Sequence, residues 1–173
     1  QGSLSTMLRA ALAALLTAIA ANAAAQTYPS KAIRFVVGFA AGGSNDVVAR
    51  ALAIKLSEII GQPVVVENRA GANTSIATEL VSRAAPDGYT ILLNAPGHAT
   101  NAALMKLNFD PARDFTFISK ASEAQNVVVV HPSFPPRTIK QLIAFSKTRP
   151  DTINFASSGT GTTVHLSAEL FQF

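Results

Sequence analysis

The chain has 173 residues, with 14 Lys and Arg against 10 Asp and Glu, a net charge of +4 and no cysteine. The absence of cysteine excludes a disulfide framework, thiol catalysis and zinc–thiolate sites. The basic residues are scattered without a cluster, which argues against nucleic acid as a partner.

In chain order, Met7 and Arg9 precede an apolar run, Ala10–Ala21, that ends in Ala-Asn-Ala-Ala-Ala25. A short basic start, an apolar middle and a small-residue cleavage site describe a secretory signal peptide, residues 1–25. Residues 1–6, ahead of Met7, read as an upstream extension or a scar. The apolar run is too short to span a bilayer. Export to the periplasm is therefore expected, and residues 26–173 remain, enough to bury a core.

Beyond Pro29, short β-branched runs alternate with helical patterns. Ile33–Gly38 is apolar on both faces, as a central parallel strand should be. Ser44 is the expected N-cap of a helix with Asp46 in its first turn, apolar at Val48, Leu52, Leu56 and Ile59 and stopped by Gly61 and Pro63. Val64–Val66 reads as a second strand and residues 71–75 as a turn. A second helix carries Ala77, Leu80, Val81 and Ala84 on one face. After the turn Pro86-Asp-Gly88, Tyr89–Leu93 is a third strand. This β-α-β-α-β order predicts a parallel sheet with right-handed crossovers.

A short helix is expected over Thr100–Met105. Strands are expected at Phe115–Ile118, Val127–His131 and Ile153–Phe155. Thr138 and Gln141 form a capping box that opens a helix bearing Leu142, Ile143 and Phe145. Thr162 and Thr163 cap a last helix that reaches Phe173 in mid-pattern. The expected division is a first α/β lobe over residues 26–115 and a second, truncated α/β lobe over residues 116–173.

Three loops carry candidate binding chemistry. In the first, Gly42-Gly43-Ser44-Asn45-Asp46, glycines allow close backbone approach at a helix N-terminus, where oriented N–H groups favour an anion. In the second, Ser157-Ser158-Gly159-Thr160-Gly161-Thr162, hydroxyls flank a glycine bend, with His165 one turn into the next helix. For both, an ordinary turn needing glycine for its geometry is the competing reading. In the third, Asn94, His98, Thr100 and Asn101 follow the third strand, at the carboxyl edge where open α/β sheets bind ligands. A solvated loop competes there. Gly159-x-Gly161 also opens a dinucleotide fingerprint, but Val164 stands at its third glycine position. His98, His131 and His165 lack metal spacing, and no carboxylate pair suits acid–base catalysis. No catalytic group, metal or cofactor is therefore expected.

Tyr28-Pro-Ser-Lys-Ala-Ile-Arg34 with Phe39-Ala-Ala-Gly-Gly-Ser-Asn-Asp46 resembles the opening of the Bug (TctC-like) receptors. The likeness continues through Gly61–Gly71, Ala84–Thr90, Phe109-Asp-Pro111, Val128–Pro132 and Phe155–Thr162 with His165. The resemblance implies a two-lobed, Venus-flytrap α/β receptor that holds a small carboxylate between its lobes. It implies no enzymatic activity, a monomer, and membrane permease subunits of a tripartite tricarboxylate transporter as partners. It also implies that the loops matching Phe39–Asp46 and Ser157–Thr162 approach the ligand as pincers, with Asn94–Asn101 adding contacts. The chain departs from the family at Ala40-Ala41, where many relatives have proline. A second departure is Asn73-Thr-Ser75, in place of a more glycine-rich turn. The third is length, since the family's chains run well past Phe173.

The expected ligand-binding set is Phe39, Gly42, Gly43, Ser44, Asp46, Asn94, His98, Asn101, Ser157, Gly159, Thr160, Gly161, Thr162 and His165. The alternatives are a nucleotide-binding α/β enzyme and a receptor of the same fold serving a sensor kinase.

Overall fold

The structure, a computed structural model, describes residues 27–150 and 152–172. The expected signal peptide lies outside the described residues. No described helix is long and apolar enough to cross a membrane.

Three strands form one parallel sheet in the order β2-β1-β3, with β1 Ile33–Val37, β2 Val64–Asn68 and β3 Thr90–Leu93. In register, Phe35 lies beside Val66 on one side and Ile91 on the other. The central strand is buried on both faces, and Val36 and Val37 are 0% exposed. Successive side chains point to opposite faces, so two adjacent valines can both be sealed only if both faces are covered. Helix α1, Ser44–Ile60, covers one face: Ala49 and Ala53 join Phe35, Val37 and Leu93 in the core, with Phe39, Val48 and Leu52 packed around them. Helix α2, Ser75–Ser82, contacts β1 and β3 and buries Ala77 and Thr78. The β-α-β-α-β order read from the sequence is the order found.

Two details of the first junction differ from expectation. Gly43, not Ser44, is the N-cap, and it offers no side-chain cap. Asp46, at the third helical position, instead reaches back to accept the Gly42 N–H at 2.8 Å. Its longer reach stabilises the turn ahead of the helix, so Ser44 can enter the helix itself.

Helix α3 spans Gly97–Leu104, opening three residues before the expected start. Helix α4, Ile139–Thr148, has the expected cap: the Thr138 hydroxyl accepts the Gln141 N–H, and Gln141 reaches back to the N–H of Arg137, one residue ahead of the cap. Helix α5, Thr163–Gln172, starts as expected, with Thr162 Oγ1 accepting the His165 N–H.

The three later strands are not found. Residues 115–118, 127–131 and 153–155 pair with nothing among the described residues. Phe117, Ile118 and Val127–Val130 are exposed. Their β-branched and aromatic composition is what a strand requires, but a strand exists only as one side of a hydrogen-bonded pair.

Candidate ligand site

Because the sheet is parallel, β1, β2 and β3 all end at one edge, and the strand order 2-1-3 places a topological switch between β1 and β3. One crossover, through α1, joins β1 to β2, and the next, through α2, joins β2 to β3 on the other side of β1; open α/β sheets bind ligands at such a reversal. The first glycine bend leaves β1 at this edge and the Asn94 loop leaves β3. Two of the three predicted loops are thereby side by side.

The first bend is braced from within. Asp46 is buried, and its carboxylate accepts from Gly42 N–H and Arg50 Nε on one oxygen and from Asn68 Nδ2 on the other, all within 2.8–2.9 Å. Arg50, then the Gly42 amide and Asn68, hold its pKa down at about 2. Asn68 Nδ2 also donates to the Phe39 carbonyl at 3.0 Å. Asp46 was placed among the ligand contacts by sequence; its oxygens are committed to shaping the bend. The N–H groups of the first α1 turn lack a capping side chain, and a Cβ placed on Gly42 would meet nothing within 4 Å. Uncapped first-turn amides are what an anion needs.

The Asn94 loop is a closed polar network. Asn94 Nδ2 donates to Thr78 Oγ1 at 2.8 Å and faces His98 Nδ1 at 3.1 Å, while His98 Nε2 lies 2.7 Å from the Pro111 carbonyl. With Asn94 donating to Nδ1, Nε2 is the ring nitrogen that donates to Pro111. Its ring also meets Phe115 and Phe117 edge-on. Asn101 is 1% exposed, accepts from Asn73 Nδ2, and donates to Asn73 O and Ser75 Oγ. His98 and Asn101 thus spend their hydrogen-bonding capacity inside the protein.

The second bend reaches the same edge. Gly161 is buried although 156–160 are exposed, and its carbonyl accepts from Thr100 Oγ1 at 3.0 Å. A Cβ at Gly161 would come within 2.6 Å of Leu104 Cδ1 and 2.8 Å of Asn73 Nδ2, so only glycine allows this approach. Gly159, two residues earlier, faces open space at φ 118°, with Ser157 and Thr160 exposed beside it. The Thr162 hydroxyl donates to the Gly159 carbonyl at 2.7 Å. His165 lies 3.5 Å from Glu169 through Nε2, and its buried Nδ1 has no partner among the described residues.

What links the bends is a segment that sequence reading left as a plain turn. Ala72, Asn73 and Thr74 take φ of 46°, 48° and 75°, three consecutive non-glycine residues in the left-handed region. Each such residue costs about 1–3 kcal/mol unless its surroundings impose it. The surroundings here are tight. A Cβ on Gly38, at the end of β1, would lie 2.7 Å from Thr74 Cβ, and one on Gly97 would lie 2.7 Å from Asn73 Oδ1. Thr74 is 1% exposed and its hydroxyl has no partner among the described residues. The 71–75 turn therefore touches the end of β1 through Thr74 and the second bend through Asn73.

A groove lined by Met105, Leu107, Phe109 and Asp114 contains none of the predicted ligand contacts. Among the described residues no group of His, Asp or Glu could hold a metal.

A family model described as "Tripartite tricarboxylate transporter family receptor" matches residues 48–173. The chain belongs to this family. Among solved structures it is similar to MatC from Rhodopseudomonas palustris with bound malate, at 32% identity and a TM-score of 0.74. It is also similar to R. palustris Rpa4515 with adipate, at 35% and 0.70. A third is the periplasmic binding protein BugD, at 34% and 0.65. Each likeness covers 84% of this chain and 49–50% of the other. The chain also spans about half the length of the curated relatives it matches. The resemblance to the Bug receptors holds, and with it the α/β periplasmic-binding-protein fold, of which this chain supplies about half. The tripartite receptors are a solute-binding family, not a family of enzymes.

Proposed function

We propose that this chain forms the carboxylate-capturing part of a periplasmic receptor that serves a tripartite tricarboxylate-type permease. The observation that carries this reading is the convergence of two open, glycine-rich bends on one sheet edge. Free first-turn amides of α1 stand on one side, and the exposed Ser157 and Thr160 hydroxyls stand on the other. No Lys or Arg is needed for such a site, because backbone dipoles and hydroxyls neutralise the anion.

Hydrogen bonds to a charged group contribute about 1.5–3 kcal/mol each. Three or four of them, less the ordering costs, correspond to roughly micromolar affinity. MatC with malate and Rpa4515 with adipate support a dicarboxylate as the ligand class. Within the expected set, Ser44, Ser157 and Thr160 are the contacts we assign to the carboxylate, while Gly42, Gly43, Gly159 and Thr162, whose N–H groups bond within the bends, give the bends their shape. Phe39 lines the approach, and Asp46, Asn94, His98, Asn101 and Gly161 shape it.

The nucleotide alternative loses its main support, because the Gly161 position of the Gly159-x-Gly161 pair is sealed against Asn73 and Leu104. A pyrophosphate has no room to approach it. Isothermal titration calorimetry with malate and adipate, and with adipamide and ATP as controls, tests the proposal. Micromolar binding of either acid, with none of the controls, is expected. Binding of adipamide as tight as adipate, or binding of no acid, contradicts it.

A further inference from the structure

The Gly159–Thr162 bend has to be held somewhere, and the residues that hold it are not the residues that face open space. Gly161 is buried at one spot on the first α/β unit, bounded by the Asn73 carboxamide, Leu104 Cδ1 and the Thr100 hydroxyl. Asn73 reaches that spot only because residues 72–74 adopt the left-handed conformation. Asn101 fixes the strained turn from below, through Asn73 Nδ2 to Asn101 Oδ1 at 2.8 Å and Asn101 Nδ2 to Asn73 O at 2.7 Å. The same turn abuts Gly38 at the end of β1 through Thr74.

We propose that Asn73 and Thr100 are positioning residues that seat the second glycine bend on the first α/β unit, and so fix the separation of the two bends. This rests on the receptor reading for its functional meaning, but the seat itself is present without ligand. A strained turn suits this role. Asn101 bonds to Asn73 and Gly161 packs against it, which are the surroundings such a backbone needs. Neither Asn73 nor Thr100 needs to touch the carboxylate. Asn73 also fits the N-glycosylation pattern Asn73-Thr-Ser75, but its carboxamide is engaged with Asn101 and carries this structural task instead.

The absence of native cysteines gives a clean test. Spin labels on Ser158→Cys and Ala103→Cys, both exposed positions, report the distance between the bend and α3. The labelled chain is expected to show one short, narrow distance distribution without any added acid. Thr100→Val removes the hydrogen bond to Gly161 and little else. Asn73→Gly removes the carboxamide while easing the backbone strain. Each should add a long-distance population with cooperative unfolding retained, and the double variant should resemble the singles, because both dismantle one seat. Unchanged distances in both variants overturn the proposal. So do changes seen only where cooperative unfolding is lost, since the role is then merely structural. Adipate titration is run in parallel: a chain that binds no adipate but shows these distance changes retains the seat and loses the receptor reading.

Discussion

Val36–Val37 and Val127–Val130 are nearly the same words in the sequence and have opposite fates. The first pair is 0% exposed in the centre of a three-stranded sheet, while the second run is 45–82% exposed. Among the described residues, every apolar residue of the buried core lies between Ile33 and Leu93. Burial is therefore decided by whether a partner strand and a covering helix exist, and not by the hydrophobicity of the run. The 33–104 region has both, because each βαβ crossover returns its strand beside β1. The 115–160 region has one described helix, α4, and no strand pairing among the described residues.

The largest effect should come from breaking the better-packed side of this contrast. Phe35→Ala removes a 4%-exposed ring from the core and is expected to cost about 3–5 kcal/mol. Val129→Ala, at 82% exposure, should stay within about 0.5 kcal/mol. Urea unfolding followed by circular dichroism measures both, and equal losses would erase the distinction between the regions.

Acid should also act mainly on the first region. Arg34, with Arg69, lowers the Glu67 pKa to about 2, and Arg50, Gly42 and Asn68 lower that of Asp46 to about 2. Both pKa values are depressed by folding, so their stabilisation is complete above the ordinary carboxylate range near pH 4 and is lost as pH falls toward 2. Tm should be flat from pH 7 to 5 and drop below pH 4. Asp46→Asn should lower Tm at neutral pH and flatten that drop; an unchanged acid limb would remove Asp46 as the brace of the first bend.

Smaller effects sharpen the picture locally. Thr138→Ala deletes the α4 cap and should cost about 1 kcal/mol, read as faster amide exchange over Ile139–Leu142 with the β1 amides unaffected. Ala72→Gly relieves a left-handed alanine at φ 46° and should raise stability by up to about 1 kcal/mol. A destabilising Ala72→Gly would mean that the 71–75 turn is not strained.

The elements legible in the sequence are those with strong local signals. The β-α-β-α-β order, the Gly61 stop, the Thr138 cap and the start of α5 all follow from periodicity and capping chemistry. The three later strands were over-read, because composition alone cannot supply a pairing partner. Among site residues, the glycine bends were visible as glycine clusters at strand–helix junctions. What escaped was the division of labour. Asp46, His98 and Asn101 carry the donors and acceptors a ligand site would need, but which partners consume them is a fact of tertiary structure. Asn73 was hidden more deeply. Asparagine tolerates the left-handed region, which is a weak signal, but nothing local forces Ala72 and Thr74 into it as well.

The claim on which the rest depends is that both bends grip one carboxylate, and amide chemical-shift mapping of the ¹⁵N-labelled chain during adipate titration tests it most directly. The account predicts that Gly42–Asn45 and Gly159–Thr162 shift together along a single saturation curve. Shifts confined to one bend, or two curves with different midpoints, would contradict it.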